Sequence, residues 1–126
     1  MAKVKGEDKI LEWIEEGRKY IRCFPSSFQV IFPSKCDKCP EAIETIRKTW
    51  SEELGGTTEW DGYGCWLNEK GEAVCEDVKI IMSAHNCTDP QSAEKVGNAV
   101  LKAGRIAEQE EVIVSAGNKF FFFKTK

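Results

Sequence analysis

The sequence predicts an α+β protein built on a ferredoxin-like, split βαβ sheet. Two observations carry this prediction: the order of its elements, and the period at which apolar residues recur within each of them. After a leading helix the order is strand, helix, strand, strand, helix, strand, followed by an extra strand that makes a C-terminal β-hairpin. Both helices of the βαββαβ unit are expected on one face of the sheet. The 126 residues suit a single domain over 1–126, with a leading amphipathic helix in 1–24 and the ferredoxin-like core in 27–126.

The first two elements follow from apolar spacing and from proline. Residues 7–22 carry apolar side chains at helical spacing, with Lys and Glu on the opposite face, which predicts the leading helix. Pro25 ends it, because proline disfavours a helical conformation in the residue before it. Residues 28–32, rich in aromatic and β-branched types, then predict a strand.

The two core helices have recognisable ends. The first is predicted over residues 40–54, because Pro40 suits the first helical position and Gly55 suits the stop. The second begins near Pro90, with Thr88 or Asp89 as its cap. Residues 112–115 and 119–124 then predict the strands of the C-terminal hairpin.

A long hairpin over residues 57–83 is predicted to turn at residues 68–71, which pairs positions whose numbers sum to 140. This register sets Asp61 opposite Lys79 and Cys65 opposite Cys75. It also gathers one set of residues on a single face, which is therefore expected to be the buried face: Trp60, Gly62, Trp66, Val74, Val78, Ile80 and Met82. Residues of the other face are expected to project from an open sheet surface: Ile31, Tyr63, Ile81 and the Cys65–Cys75 pair.

Charge and composition exclude several classes of protein. The chain has 18 basic and 21 acidic residues, a net charge of −3, and no basic stripe, so nucleic-acid binding is disfavoured. No apolar run reaches the roughly 20 residues that span a bilayer, and no signal-peptide core follows Met1. We therefore expect no membrane partner and a cytoplasmic location.

Four of the chain's metal-ligand residues are predicted to meet at one sheet edge. If the first and third strands are parallel neighbours, Cys36 and Cys39 after the first strand converge with His85 and Cys87 after the third. Thiolates and a neutral imidazole are the preferred ligands of tetrahedral zinc. The sequence thus favours a small non-enzymatic metal-binding module, with zinc as the expected cofactor.

Other interpretations of the cysteines stay open. They are equally consistent with inert small hydrophobic residues. In a redox role, Cys36 would attack a disulfide and Cys39 would resolve the product. Cys65 and Cys75 are spaced for a disulfide, although two reduced thiols are the expectation in the cytosol. Cys23 is expected to be buried.

The strand, Cys36-x-x-Cys39 and helix in residues 30–54 resemble the heavy-metal-associated domains of copper chaperones. Those domains have a methionine two residues before the first cysteine, where this chain has Ser34. The resemblance implies metal handling at Cys36 and Cys39. Thioredoxin-like proteins share the strand, CxxC and helix arrangement, but their order of elements differs.

Two further functions are weighed against the metal module. One is a homodimeric interaction module that pairs through its open sheet face. The other is an enzyme or anion binder at the same sheet edge, with Ser34 and Thr88 near two helix N-termini and His85 as the proton-transfer group.

Overall fold

The computed structural model describes residues 26–85, 89–117 and 119–125, together with the single residues 9, 12 and 16. These residues form five strands and two helices. The strands are β1 (Ser26–Pro33), β2 (Thr58–Leu67), β3 (Ala73–His85), β4 (Glu111–Ala116) and β5 (Lys119–Lys124); the helices are α1 (Cys39–Leu54) and α2 (Pro90–Ile106). The predicted leading helix lies outside the described residues except at those three single positions. Neither α1 nor α2 is both long and apolar enough to cross a membrane.

The strands form one sheet in the order β2-β3-β1-β4-β5. The α+β class is confirmed, with two helices and a five-stranded antiparallel sheet. The parallel pairing of the first and third strands is wrong: β1 runs antiparallel to β3, with Ser26 opposite His85 and Pro33 opposite Val78. The reason is topological. In a split βαβ unit the crossover helix makes β1 and β2 parallel, so a hairpin strand inserted between them must oppose both.

The β2–β3 hairpin has the predicted register. Trp60 pairs with Ile80, Asp61 with Lys79 and Cys65 with Cys75. At the turn, Asn68 Oδ1 accepts hydrogen bonds from the backbone N–H groups of Lys70 and Glu72. Gly71 takes the left-handed conformation at φ +77°, which a residue with a side chain rarely adopts.

The helices cover the sheet face opposite the predicted one. Fully buried Val30 and Phe32 of β1 and Ile81 of β3 form one core with Ile46 and Trp50 of α1. Because side chains alternate along a strand, Trp60, Trp66 and Ile80 lie on the other face. We call that side of the sheet the open face, meaning the face away from α1 and α2. The expectation that Tyr63 and Ile81 lie on an open face is therefore wrong as well.

Thr125, which follows β5, packs against the C-terminal end of α2. Thr125 is buried, and its hydroxyl donates a hydrogen bond to the carbonyl oxygen of Gln109. Arg105 Nε donates to the carbonyl oxygen of Thr125 at 2.8 Å. Gly104 of α2 is buried directly against Thr125 and Val112. These contacts attach β5 to the helix that precedes the final hairpin.

Candidate functional site

Cys36 and Cys39 are joined by a disulfide bond where β1 leads into α1, with their Cα atoms 5.0 Å apart. Cys39 is the first residue of α1 and is fully buried, whereas Cys36 is half-buried. The Cys39 N–H donates to the carbonyl oxygen of Cys36 at 3.1 Å. Pro40 follows, in a position where the missing N–H has no consequence for the helix. The two sulfurs thus share a tight turn in which they bond to each other.

Among the predicted zinc ligands that the structure describes, Cys36 and Cys39 lie at one end of β1 and His85 at the other. His85 pairs with Ser26 at the start of β1, and Cys36 follows Pro33 at its end. Ser26 and Pro33, the two ends of β1, are seven residues apart, which corresponds to about 23 Å of strand. Cys87 and Thr88 lie outside the described residues, as does the side chain of His85. Ser34 is at the Cys36 end, where its N–H donates to the carbonyl oxygen of Asp77.

The predicted zinc module is therefore wrong. The parallel pairing that would have gathered its ligands does not occur, and Cys36 and Cys39 use their sulfurs in a disulfide. Within residues 26–85, 89–117 and 119–125, no group of three or more His, Cys, Asp or Glu residues is arranged to hold a metal ion.

Cys65 and Cys75 form a second disulfide, across the β2–β3 hairpin. Their Cα atoms are 4.1 Å apart, a short cross-strand separation, and both residues are exposed. The structure has a disulfide at this pair, where the sequence led us to expect two reduced thiols. Direct pairing in the antiparallel register brings the two Cβ atoms together, which makes the bond geometrically accessible.

An apolar groove of about 220 Å³ lies on the helix-covered face, between α2 and the strands β1, β4 and β5. Its floor is Phe28, Val114 and Phe123. Its wall on α2 combines apolar residues with two polar ones: Ala93, Glu94, Gly97, Asn98, Val100 and Leu101. A methyl group added at Gly97 would meet nothing within 4 Å, so this glycine keeps part of the groove open. The surface that lines the groove is almost entirely apolar and includes two aromatic rings, which suits an apolar or aromatic group of a ligand.

The sequence interpretation missed this groove. Phe28 and Phe123 are distant in the chain, and they reach one side of the sheet only through the order β1-β4-β5. The four consecutive phenylalanines of β5 were the available signal. Alternation sends Phe121 and Phe123 to the helix side and Phe120 and Phe122 to the open face.

Polar contacts join α1 to β2 and α2 to α1. Arg47 of α1 binds Glu59 of β2 through two hydrogen bonds, one of them 2.8 Å from Nη2 to Oε1, and it also pairs with Glu44. The bond from Arg47 lowers the pKa of Glu59 and raises that of Arg47. Ser92 of α2 donates to Glu53 of α1 at 2.8 Å, which lowers the pKa of Glu53.

The open face carries four large aromatic residues that are strongly exposed. Trp60 and Trp66 on β2 are 42% and 45% exposed, and Phe120 and Phe122 on β5 are both 64% exposed. Glu76 lies on the same face, and burial raises its pKa. Gly62 leaves room there for the side chains of Val78 and Ile80. The open face thus presents aromatic surface at both of its edges.

Comparison with known proteins gives matches by structure and none by sequence. No protein family model matches the chain, and no curated protein is significantly similar in sequence. A phage SAM lyase in complex with S-methyl-5'-thioadenosine has a TM-score of 0.62 at 11% identity, covering 84% of this chain and 96% of that chain. The apo phage SAM lyase has a TM-score of 0.63 at 11% identity, covering 86% and 95%. A Bacillus cereus protein related to NIF3 has a TM-score of 0.45 at 18% identity, covering 76% of this chain and 27% of that chain.

The likeness to the phage enzyme shows a shared fold across almost the whole of both chains.

Proposed function

We propose that this protein is an enzyme that cleaves S-adenosylmethionine (SAM) and releases S-methyl-5'-thioadenosine, with the groove beside α2 as its binding site. One observation carries the proposal: the chain shares its fold, over 84% of its length, with a phage SAM lyase whose structure holds S-methyl-5'-thioadenosine. The two chains are also similar in extent, since the match covers 96% of the lyase.

The groove supports this assignment by its chemistry. Phe28 and Phe123 offer aromatic surface on which an adenine ring packs. The volume of about 220 Å³ is below the roughly 300–1,000 Å³ of pockets that enclose a whole drug-sized ligand. The nucleoside would therefore occupy the groove, and the amino-acid part of SAM would extend past Glu94 and Asn98.

Glu94 is exposed at the rim of the groove, where its carboxylate would bring a negative charge near the sulfonium of SAM. SAM is positively charged at sulfur, whereas S-methyl-5'-thioadenosine is a neutral thioether. When a carboxylate oxygen of SAM itself attacks the carbon bonded to sulfur, a four-carbon lactone forms and the carbon–sulfur bond breaks. The electron pair of that bond goes to sulfur, and the positive charge disappears. An apolar groove favours this change, because the charged form is the more costly one to hold away from water.

Chromatographic detection of S-methyl-5'-thioadenosine, after incubation of the full chain with SAM, tests the activity. Release well above the spontaneous rate is expected, and mass spectrometry identifies the four-carbon product. Phe123→Ala should weaken binding of S-methyl-5'-thioadenosine by roughly 5- to 150-fold, since stacking on one aromatic is worth about 1–3 kcal/mol.

Glu94→Gln tests how the groove distinguishes its ligands. It should weaken binding of SAM while leaving binding of neutral S-methyl-5'-thioadenosine nearly unchanged. Glu52→Gln makes the same charge change at an exposed site on α1, outside the groove lining, and is the matched control. A protein that binds neither compound and releases no product would contradict the proposed function.

A second candidate function is self-association through the open face, as a homodimer. The supporting observation is the exposure of Trp60, Trp66, Phe120 and Phe122 on one side of the sheet. Exposed aromatic surface of this extent is typical of interfaces.

Light scattering should give twice the monomer mass for the wild type, and Trp66→Lys should shift the protein towards monomer. Tyr63→Lys is the control on the same strand, because Tyr63 is 70% exposed but lies on the other face. A monomeric wild type at high concentration would exclude the dimer.

The cytoplasmic location and the absence of nucleic-acid binding stay predictions.

A further inference from the structure

We propose that the Cys36–Cys39 disulfide is a thiol–disulfide exchange site, at which a dithiol donor attacks Cys36 and Cys39 leaves as a thiolate. This activity is independent of the groove beside α2, because neither cysteine lines that groove. The proposal depends on the unequal exposure of the two cysteines and on the position of the second one at the N-terminus of α1.

The two cysteines differ in their access to an incoming thiol. Cys36 is half-buried and lies between exposed Lys35 and exposed Asp37, whereas Cys39 is fully buried in the core with Ala42 and Ile43. Attack on a disulfide requires the nucleophile to approach one sulfur along the bond. Access therefore selects Cys36 as the sulfur that is attacked.

The surroundings of Cys39 favour it as the leaving group. Cys39 is the first residue of α1, where the helix dipole favours negative charge. Lys38, the N-cap residue, makes no side-chain capping bond to this turn, whereas Asp89 caps α2 by accepting from the Gln91 N–H. A Cys39 thiolate would add negative charge at the N-terminus of α1, where Glu41 is the acidic residue of the first turn, and Lys35 and Lys38 add positive charge nearby.

The exchange balances without any further reactant. A donor thiolate attacks Sγ of Cys36, a new S–S bond forms, the Cys36–Cys39 bond breaks, and its electron pair goes to Sγ of Cys39. The second thiol of the donor, once deprotonated, attacks the donor sulfur of this mixed disulfide and releases Cys36. The donor loses two electrons and two protons and becomes a disulfide, and the cysteine pair gains them.

Trapping of the mixed disulfide on the full native chain tests the direction of attack. Reduced glutathione, a monothiol, is added briefly, the reaction is quenched with acid, and peptide mapping locates the glutathione among the six cysteines. Glutathione is expected on Cys36 in at least about tenfold excess over Cys39. Equal amounts on both residues, or a pair that opens only in denaturant, would overturn the proposal.

Two variants give a second measure that does not depend on the wild-type equilibrium. Cys39→Ser should accumulate a stable Cys36–glutathione adduct when oxidised glutathione is added, because the resolving thiol has been removed. Cys36→Ser should leave Cys39 largely unmodified, because Cys39 is buried. Comparable modification of both variants would contradict the assigned roles. If a variant does not fold, peptide mapping of the wild type still shows which cysteine is attacked.

The source of the donor is distinguished by two reductants, dithiothreitol as a small dithiol and reduced thioredoxin as a protein dithiol. The faster of the two identifies the class of donor. Cys65–Cys75, in the same sample, is the internal reference, because neither of its sulfurs lies at a helix N-terminus. Both cysteines of Cys65–Cys75 are exposed, so access alone would make its reduction the faster one. Reduction of Cys36–Cys39 at an equal or higher rate is expected, because α1 favours the leaving thiolate. A rate for Cys36–Cys39 well below that of Cys65–Cys75 would remove the role of α1.

Discussion

At the scale of single residues, Gly104 and Gly97 of α2 have opposite surroundings on the same helix. A methyl group at Gly104 would lie 2.9 Å from Val112 Cγ1 and still closer to Thr125, whereas one at Gly97 would meet nothing within 4 Å. Gly104 is therefore required by close packing between α2 and the C-terminal segment. Gly97 is required for no packing contact, and it only widens the groove.

Gly104→Ala is expected to lower the free energy of unfolding by about 1–3 kcal/mol, because the core next to Thr125 has no room for the added methyl group. Gly97→Ala, the matched control, should raise it by up to about 1 kcal/mol, because alanine loses less backbone entropy in a helix. Urea denaturation of both variants measures the difference. Equal effects of the two substitutions would show that α2 does not pack against Thr125 as described.

Arg47 links α1 to β2, and its contribution to stability should depend on pH. The pKa of Glu59 is lowered in the folded protein by its hydrogen bonds with Arg47. The pair therefore stabilises the fold above the ordinary glutamate pKa of about 4.3, and the stabilisation is lost as the pH falls through the lower folded value. Arg47→Met should cost about 1 kcal/mol at neutral pH and progressively less in acid, a modest value because Arg47 is partly exposed.

Urea denaturation at a series of pH values measures this dependence. Lys48→Met is the control, since Lys48 is an exposed cation on the same helix. A cost of Arg47→Met that is the same at pH 7 and in strong acid would exclude the Arg47–Glu59 pair as its source.

At the scale of elements, the β2–β3 hairpin is held by its turn and by the Cys65–Cys75 disulfide. Replacing both cysteines with serine should lower the free energy of unfolding by roughly 2–3 kcal/mol, because the open chain of the variant has more freedom when unfolded. Denaturation under oxidising conditions measures the loss. With both proteins in excess reductant the difference should nearly vanish. A difference that persists in reductant would assign the effect to the serine side chains instead.

The hairpin register could be predicted from the sequence, but the buried face could not. Pairs such as Asp61–Lys79 and Cys65–Cys75 fit one register only, because a shift of one residue separates both. The choice of face has no such constraint. β3 carries Ile81 on one side and Val78 and Ile80 on the other, so both sides are apolar. Which side the helices cover is decided by Val30 and Phe32 on the neighbouring β1.

The predicted convergence of Cys36 with His85 was wrong for a related reason. Cys36 follows β1 and His85 ends β3, as expected, but the relative direction of β1 and β3 was not predicted correctly. Direction depends on how many strands and crossovers separate two neighbours, so an error there moves whole groups of residues to the other end of the sheet. The local sequence pattern of a strand does not indicate whether the strand runs parallel or antiparallel to its neighbour.

At the scale of the whole molecule, the groove joins elements from both ends of the described chain. Phe28 belongs to the first strand and Phe123 to the last, and α2 closes over them. A ligand held between these elements binds the folded state alone, because its contacts separate when the chain unfolds. Binding should therefore stabilise the entire sheet and not only the residues that touch the ligand.

S-methyl-5'-thioadenosine at about one hundred times its dissociation constant should raise the free energy of unfolding by about 2.7 kcal/mol, since mass action favours the only state that binds it. Thermal denaturation over a range of ligand concentrations measures the rise, and the slope against the logarithm of concentration reports one site. Phe123→Ala should reduce the effect at a given concentration, whereas Leu67→Ala, an exposed apolar residue outside the groove, should not. A melting temperature that does not change with S-methyl-5'-thioadenosine would show that this chain shares the fold of the phage lyase but does not bind that ligand.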